Sequence, residues 1–150
     1  MIERDEKMVV QNEKIEKACC FYVSEFHLEM ILVPYINEKI NEGINILTEK
    51  SLKNTLEILL SKINIAEENK NKIMELKWEG EEPREKSNII IIGSKKYIED
   101  KNKEVECLKP VSILDCYEFE EEKDNMNDIV KRYKKTLNTL GKSNFWKFLV

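Results

Sequence analysis

The sequence predicts an α/β protein with a mostly parallel sheet of about five strands, covered by helices on both faces. The segment 89–92 is a run of four isoleucines between polar residues and Gly93. Isoleucine branches at Cβ, which favours the extended chain, and the run does not alternate with polar residues. Both faces of this strand are therefore predicted to be buried. Elsewhere short apolar runs alternate with amphipathic segments, which is typical of parallel strands joined by helical crossovers.

The remaining elements are predicted from local patterns. Ser24 follows an apolar run and is a good helix N-cap, while Gly43 suits the left-handed residue that ends a helix. Pro34 removes a backbone donor, so a kink or a restart is expected inside this helix. The predicted strands are 18–23, 44–47, 73–78, 89–92 and 111–117. The predicted helices run from Ser24 towards Gly43 and over 52–63, 95–108 and 126–140, with a loop over 80–86 and an acidic turn over 118–124.

Length and composition predict a single α/β domain over residues 1–150, with a lead-in segment, 1–17, and an apolar C-terminal tail, 142–150. The net charge of −4 disfavours nucleic-acid binding, which needs concentrated Lys and Arg. The longest apolar runs fall short of the ~20 residues that span a membrane, and the start lacks a signal-peptide pattern. We therefore expect a cytoplasmic protein without a membrane partner. The bias towards Lys, Glu, Asn and Ile suggests a bacterial source.

Metal and thiol chemistry are not predicted. The four cysteines form no C-x-x-C motif, and one histidine cannot complete a Cys/His zinc set. The thiols are expected to be reduced and to pack as small apolar groups. A nucleophilic pair of Cys20 and His27 is conceivable, but Cys20 lies inside an apolar run and nothing in the sequence orients the imidazole.

A candidate ligand site lies where the predicted strands end, because ligands of open α/β sheets bind at the carboxyl ends of the strands. The polar residues placed there are Ser24, His27, Glu49, Ser51, Ser94 and Asp115. Helix starts also need Ser, Thr and Asp for capping, so a structural role is the alternative for each. No phosphate-binding motif follows any strand, and we predict neither a cofactor nor a metal site.

A candidate interface lies in the tail. Phe145, Trp146 and Phe148 place three aromatic rings within four residues. Exposed clusters of this kind mark contact surfaces. The tail is expected either to fold back onto the domain or to contact a protein partner or a second copy of the chain.

The first half of the chain resembles RecA/KaiC-type domains and their degenerate sensory relatives of the MEDS type. The resemblance rests on Tyr22-Val23-Ser24, the helix up to Gly43, and the strand and turn Ile44-Asn45-Ile46-Leu47-Thr48-Glu49-Lys50-Ser51. The strand 111–117 and the helix after it are similar to the end of such sensory domains. Ser24-Glu25-Phe26-His27 stands where an active ATPase carries its phosphate loop, so the resemblance implies sensing or partner binding without ATP hydrolysis.

The sequence therefore predicts a non-catalytic regulatory domain that acts through protein contacts or ligand sensing. The alternative is a small enzyme or a nucleotide- or metabolite-binding protein that uses the polar residues at the strand ends.

Overall fold

The computed structural model describes residues 15–50, 52, 55–78, 82–138 and 141–143. Its strands and helices alternate along the chain through most of its length. The strands are β1 (Glu16–Tyr22), β2 (Ile44–Thr48), β3 (Asn88–Ile92), β4 (Ser112–Glu118), β5 (Lys135–Asn138) and β6 (Gly141–Ser143). The helices are α1 (Glu25–Lys39), α2 (Leu56–Lys62), α3 (Glu67–Glu75), α4 (Lys95–Val105), α5 (Phe119–Glu122) and α6 (Met126–Val130), and a 3₁₀ turn covers Glu106–Leu108.

The strands form one sheet in the order β2-β3-β4-β1-β5-β6. Strands β1 to β5 pair in parallel, and only the short β6 runs antiparallel, against β5. The predicted α/β class and the mostly parallel sheet are thus confirmed. The first strand lies inside the sheet, where it pairs with β4 from Glu16 opposite Ser112 to Tyr22 opposite Glu118.

Helices cover both faces of the sheet, as the isoleucine run predicts. On the first face, α1, α2 and α3 pack against a layer that includes Cys20, Ile90 and Leu114. On the second face, α4, α5 and α6 pack against a layer that includes Ile91 and Ile113. Alternate residues of β3 face opposite layers, and all of its residues are buried. An inner strand of a parallel sheet has this pattern because helices cover it on both sides.

The predicted start of α1 is confirmed, but the helix ends at Lys39 with Ile40 as its C-cap, so Gly43 lies in the turn after the helix and not at its C′ position. Ser24 is the N-cap, and its hydroxyl accepts a hydrogen bond from the backbone N–H of His27. Gly43 has a φ of +88°, in the left-handed region that a residue with a Cβ rarely adopts. The restart expected at Pro34 does not occur, since α1 runs through this residue. Pro34 is exposed, so water can reach the carbonyl group that its ring leaves without a donor.

The strand predicted over 73–78 is wrong, because most of this segment belongs to α3 and its end. Glu67 and Glu68 stand in the first helical turn, where carboxylates favour the helix dipole, and Glu68 lies 3.4 Å from Lys72. Ile73 and Trp78 are both buried against α1 and α2, and the indole Nε1 donates to the Ile73 carbonyl at 3.0 Å. The apolar residues that suggested a strand serve as the buried side of a helix.

The helix predicted over 126–140 is also wrong beyond its first turns. The helix α6 ends at Val130, and Lys135–Asn138 forms β5 beside β1. Thr136 and Leu137 are buried, and Leu137 packs in the first-face layer. Pairing with β5 gives hydrogen-bond partners to the edge of β1 that does not pair with β4. The local helical periodicity of the sequence cannot show this long-range pairing. Gly141 begins β6 instead of ending a helix, and the predicted acidic turn over 118–124 contains the single-turn helix α5.

Other predictions differ only in their limits or lie outside the described residues. The strand predicted from residue 18 begins at Glu16, so 16–17 belong to β1 and not to the lead-in. The helix predicted over 52–63 begins at Leu56, and the one over 95–108 closes in the 3₁₀ turn. Phe145, Trp146 and Phe148 lie outside the described residues, as does Ser51.

We expect Ile91→Ala to lower the free energy of unfolding by about 2–5 kcal/mol, because it removes a fully buried aliphatic side chain from the centre of β3. Chemical denaturation would measure the change. Ile58→Ala on α2 is the control, since that isoleucine is 54 % exposed and should change stability little. Equal denaturation midpoints for the two variants would contradict the central position of Ile91.

Candidate functional site

The connections that follow neighbouring strands go to opposite faces of the sheet at two places. The helices after β1 and β2 lie on the first face, and those after β3 and β4 lie on the second. In the sheet, β2 neighbours β3 and β4 neighbours β1. At such points the two connections diverge and leave a crevice outside the carboxyl ends of the strands. The sheet topology alone therefore predicts an opening at this edge.

A cleft of about 580 Å³ occupies this position, and we call it the carboxyl-end cleft. Its volume lies in the range of small-molecule sites. The ends of β1, β2, β3 and β4 all contribute to its wall. Its lining residues are Tyr22, Val23, Ser24, Glu25, Leu28, Thr48, Glu49, Lys50, Leu52, Ile92, Gly93, Ser94, Glu118 and Glu121.

Three of the predicted ligand residues, Ser24, Glu49 and Ser94, meet in this cleft. His27 and Asp115 do not line it, and Ser51 lies outside the described residues. The structure thus brings together residues that are up to 70 positions apart in the sequence (24 to 94). Parallel pairing explains this, because it places the carboxyl ends of all four strands at one edge.

Glu49 is held against the start of α4. Its Oε1 accepts a hydrogen bond from the backbone N–H of Ser94 at 2.6 Å. The hydroxyl of Ser94 in turn accepts from the N–H of Tyr97 at 3.2 Å and caps the helix. A Cβ on Gly93 would lie 2.5 Å from the Glu49 carboxylate oxygen and 2.6 Å from the Tyr97 ring, so glycine makes this close approach possible. The carboxylate occupies the place that an anion takes at a helix N-terminus.

Ser24 and His27 are engaged in closing the turn between β1 and α1. Ser24 Oγ accepts from the His27 N–H at 3.1 Å, and His27 Nδ1 accepts from the Val23 N–H at 3.0 Å. Partial burial lowers the pKa of His27, which favours the neutral imidazole that this acceptor role requires. The geometry therefore supports helix capping, and not ligand binding, as the role of Ser24. Cys20 is fully buried and does not line the cleft, so the geometry offers no support for a nucleophilic pair with His27.

The sequence prediction missed Tyr22, Glu118 and Glu121. Tyr22 and Glu118 are paired neighbours at the ends of β1 and β4, and Glu121 follows in α5. Burial raises the pKa of the Tyr22 phenol above its usual range, and the charges of Glu118 and Glu121 add to the effect. The phenol is therefore protonated near pH 7 and can donate a hydrogen bond. Glu118 directly follows the predicted strand 111–117, and the rule that selected Glu49 could have found it.

Asp115 belongs to a separate buried network on the second face. It accepts hydrogen bonds from Tyr133 Oη at 2.5 Å and from Asn102 Nδ2 at 3.1 Å. The hydroxyls of Tyr133 and Tyr117 lie 2.7 Å apart, which extends the network. Burial raises the pKa of Asp115 to about 6, although Tyr133, the charge of Lys17 and Asn102 oppose the rise. The contacts make Asp115 a core residue that ties α4 and Tyr133 to β4, and its assignment as a ligand residue is not supported.

The described part of the chain shows no group of three or more His, Cys, Asp or Glu residues placed to hold a metal ion. The described cysteines Cys19, Cys20 and Cys116 are buried, Cys107 is exposed, and all four are free thiols. No helix among the described residues is both long and apolar enough to cross a membrane.

The raised pKa of Asp115 predicts a pH-dependent contribution to stability. A carboxyl group whose pKa is higher in the folded state stabilises the fold below its unfolded pKa, near 3.8, and loses this effect as the pH rises through about 6. Between pH 4.5 and pH 7 the free energy of unfolding should fall by about 2 kcal/mol more in the wild type than in Asp115→Asn. Urea denaturation at both pH values would measure it. The exposed Asp128→Asn is the control, and a wild type that parallels Asp115→Asn would contradict the prediction.

Comparison of this chain with protein-family models, with curated proteins and with solved structures finds no match.

Proposed function

We propose that this chain is a non-catalytic, regulatory α/β domain that binds a small molecule in the carboxyl-end cleft. The observation that carries the proposal is the cleft itself, which lies at the points where the connections diverge to opposite faces. Its lining combines the exposed apolar side chain of Val23 and the partly exposed Leu52 with several polar groups. Apolar surface with a few convergent polar groups is the usual composition of a ligand site.

The lining of the cleft favours binding over catalysis. The residues that line it include no histidine and no cysteine. Its serines are occupied as helix caps, since Ser24 and Ser94 both accept backbone hydrogen bonds. A nucleophilic serine needs a base within hydrogen-bond reach of its hydroxyl, and neither serine has such a partner among the described residues.

The proposed relationship to RecA/KaiC-type sensory domains has support from the order of elements around the cleft. The strand β1, the helix α1 before Gly43, the strand β2 and the turn at Thr48 and Glu49 follow one another as the resemblance implies. At the first position of α1, Glu25 lines the cleft where an ATPase would present a phosphate loop. The proposed relationship agrees with a sensory role in a bacterial cytoplasm. A protein partner would then receive the signal.

The mouth of the cleft offers a surface for that signal. Val23 is 63 % exposed and lines the cleft, and Phe26, in the first turn of α1, is 38 % exposed. A ligand that contacts Val23 would alter the apolar area that this corner presents to a partner. Protein contact and ligand sensing, the two modes expected from the sequence, are thus compatible on one surface.

A thermal-shift screen of the full chain against amino acids, amines, sugars, organic acids and nucleotides tests the proposal. A ligand at 100 times its Kd stabilises the native state by about 2.7 kcal/mol, which raises the Tm by roughly 5–10 °C in a chain of this size. We expect at least one compound class to raise the Tm.

The control pair locates the binding. Val23→Trp fills the mouth of the cleft and should abolish the shift, whereas Val111→Trp changes an exposed valine before β4 and should preserve it. A shift that survives Val23→Trp and is lost in Val111→Trp would place the ligand elsewhere. No shift with any class would contradict the proposed function.

The alternative, a small enzyme or a nucleotide- or metabolite-binding protein that uses the strand-end polar residues, includes a nucleotide hydrolase, and this case makes a different prediction. We expect no phosphate release from ATP or GTP with Mg²⁺, because Glu49 occupies the start of α4 and no lysine-bearing phosphate loop follows β1. A phosphate-release assay on the purified chain measures this. Turnover that is retained through purification and lost in Glu49→Gln would favour the enzyme.

A further inference from the structure

The charges that line the carboxyl-end cleft are unequal. Among the described residues, four carboxylate side chains contribute to its wall against one lysine, Lys50. These are Glu25, Glu49, Glu118 and Glu121. The potential inside the cleft is therefore negative, which attracts cations and repels phosphates and carboxylates. The chain as a whole has a net charge of only −4, so the imbalance is concentrated at this site.

The N-termini of α1 and α4, which lie at the cleft, do not offset its excess of negative charge. Glu49 accepts from the Ser94 N–H, so the first amide at the start of α4 already has an anionic partner from the chain itself. At the start of α1, Ser24 Oγ accepts a hydrogen bond from the His27 N–H, and Glu25 places a carboxylate in the first turn. Free helix-start amides are what a parallel α/β site normally offers to an anion. Here the chain supplies its own negative groups to both helices.

Tyr22 adds a second recognition element beside the carboxylates. It packs on the first-face layer opposite Glu118 in the register of β1 and β4. Its ring is partly exposed at the cleft, and no hydrogen bond of its hydroxyl is seen among the described residues. An aromatic face attracts an ammonium group through its quadrupole, and adjacent carboxylates accept hydrogen bonds from the same group. The exposed Val23 and the partly exposed Leu52 offer apolar surface to an aliphatic chain.

We propose that the carboxyl-end cleft is selective for small organic cations, with an alkylammonium group held by Tyr22, Glu118 and Glu121 and its carbon chain over Val23 and Leu52. This inference rests on the proposed ligand-binding function and names the class of ligand. A metal ion is the weaker occupant, because the carboxylates belong to different strand ends and do not gather into a metal-binding group within the described residues.

Three probes of the same carbon length separate charge from shape: 1,4-diaminobutane, 1,4-butanediol and succinate. The measurement is titration of the ¹⁵N-labelled full chain followed by amide chemical shifts. We expect the diamine alone to shift amides at the cleft, such as those of Val23 and Gly93. Added salt should weaken the binding, since much of it is between charges near the surface.

Adjacent residues supply a matched pair of variants. Glu121→Gln removes a carboxylate from the cleft lining. Glu120→Gln removes a carboxylate from the preceding position of α5, which is not part of the lining. Glu121→Gln and Glu118→Gln should each weaken diamine binding about tenfold, the scale of a hydrogen bond to a charged group, whereas Glu120→Gln should change it less than twofold. Tyr22→Leu should weaken binding of tetramethylammonium, which cannot donate a hydrogen bond and depends on the ring.

The outcomes separate this inference from the proposed function. Binding of succinate in preference to the diamine would overturn the cation class and leave a ligand-binding cleft. Equal losses in Glu120→Gln and Glu121→Gln would show only general attraction to an acidic surface and would also overturn it. If the diamine shifts no amides but sugars or nucleotides raise the Tm in the thermal screen, only the cation class is overturned. If no probe shifts the amides and no compound raises the Tm, the proposed function is overturned as well.

Discussion

Parallel pairing of β1 with β4 is the constraint on which the rest of the structure depends. It inserts β1, the first of the described strands, between β4 and β5, so the sheet is completed only after the later elements are in place. Such long-range pairing has a loop-closure cost that must be offset by burial. The offset is visible in β1 itself, where Ala18, Cys19, Cys20 and Phe21 are all buried between the two helical layers. The same pairing places Tyr22 beside Glu118 and so builds one wall of the cleft.

Both faces of the sheet bury polar side chains within an apolar layer. On the first face, Ser112 Oγ donates to Asn88 Oδ1 at 2.6 Å and lies 3.0 Å from the Tyr35 hydroxyl. The second face also buries Asp115 with the hydroxyl groups of Tyr133 and Tyr117. A buried carboxyl group destabilises the fold unless its oxygens are hydrogen-bonded, and here both oxygens have donors. The network fixes the position of the chain between α6 and β5, because Tyr133 lies in that connection.

The charges at the carboxyl-end cleft differ from those that its backbone arrangement favours. Parallel α/β sheets direct helix starts at their ligand sites, which favours anions. In this chain the Glu49 carboxylate meets the Ser94 amide, and Gly93 leaves the room for that contact. A single side chain at the end of β2 thus changes the electrostatics of the start of α4 without changing the fold.

By itself the sequence determined the positions of strands β1 to β4 and the start of the first helix. Four isoleucines without polar alternation allow no half-exposed strand, and Ser24 and Gly43 have local backbone roles that need no distant partner. It also indicated that polar residues at strand ends would meet, and Ser24, Glu49 and Ser94 do meet. Tertiary structure decided the rest. Residues 73–75 end a helix because Ile73 and Trp78 can pack on α1 and α2, and 135–138 form a strand because β1 presents an unpaired edge. Asp115 belongs to the core and not to the cleft because β4 continues to Glu118. Residues alternate between the two faces of a strand, and the side chain of Asp115 faces Asn102 and Tyr133 on the second face.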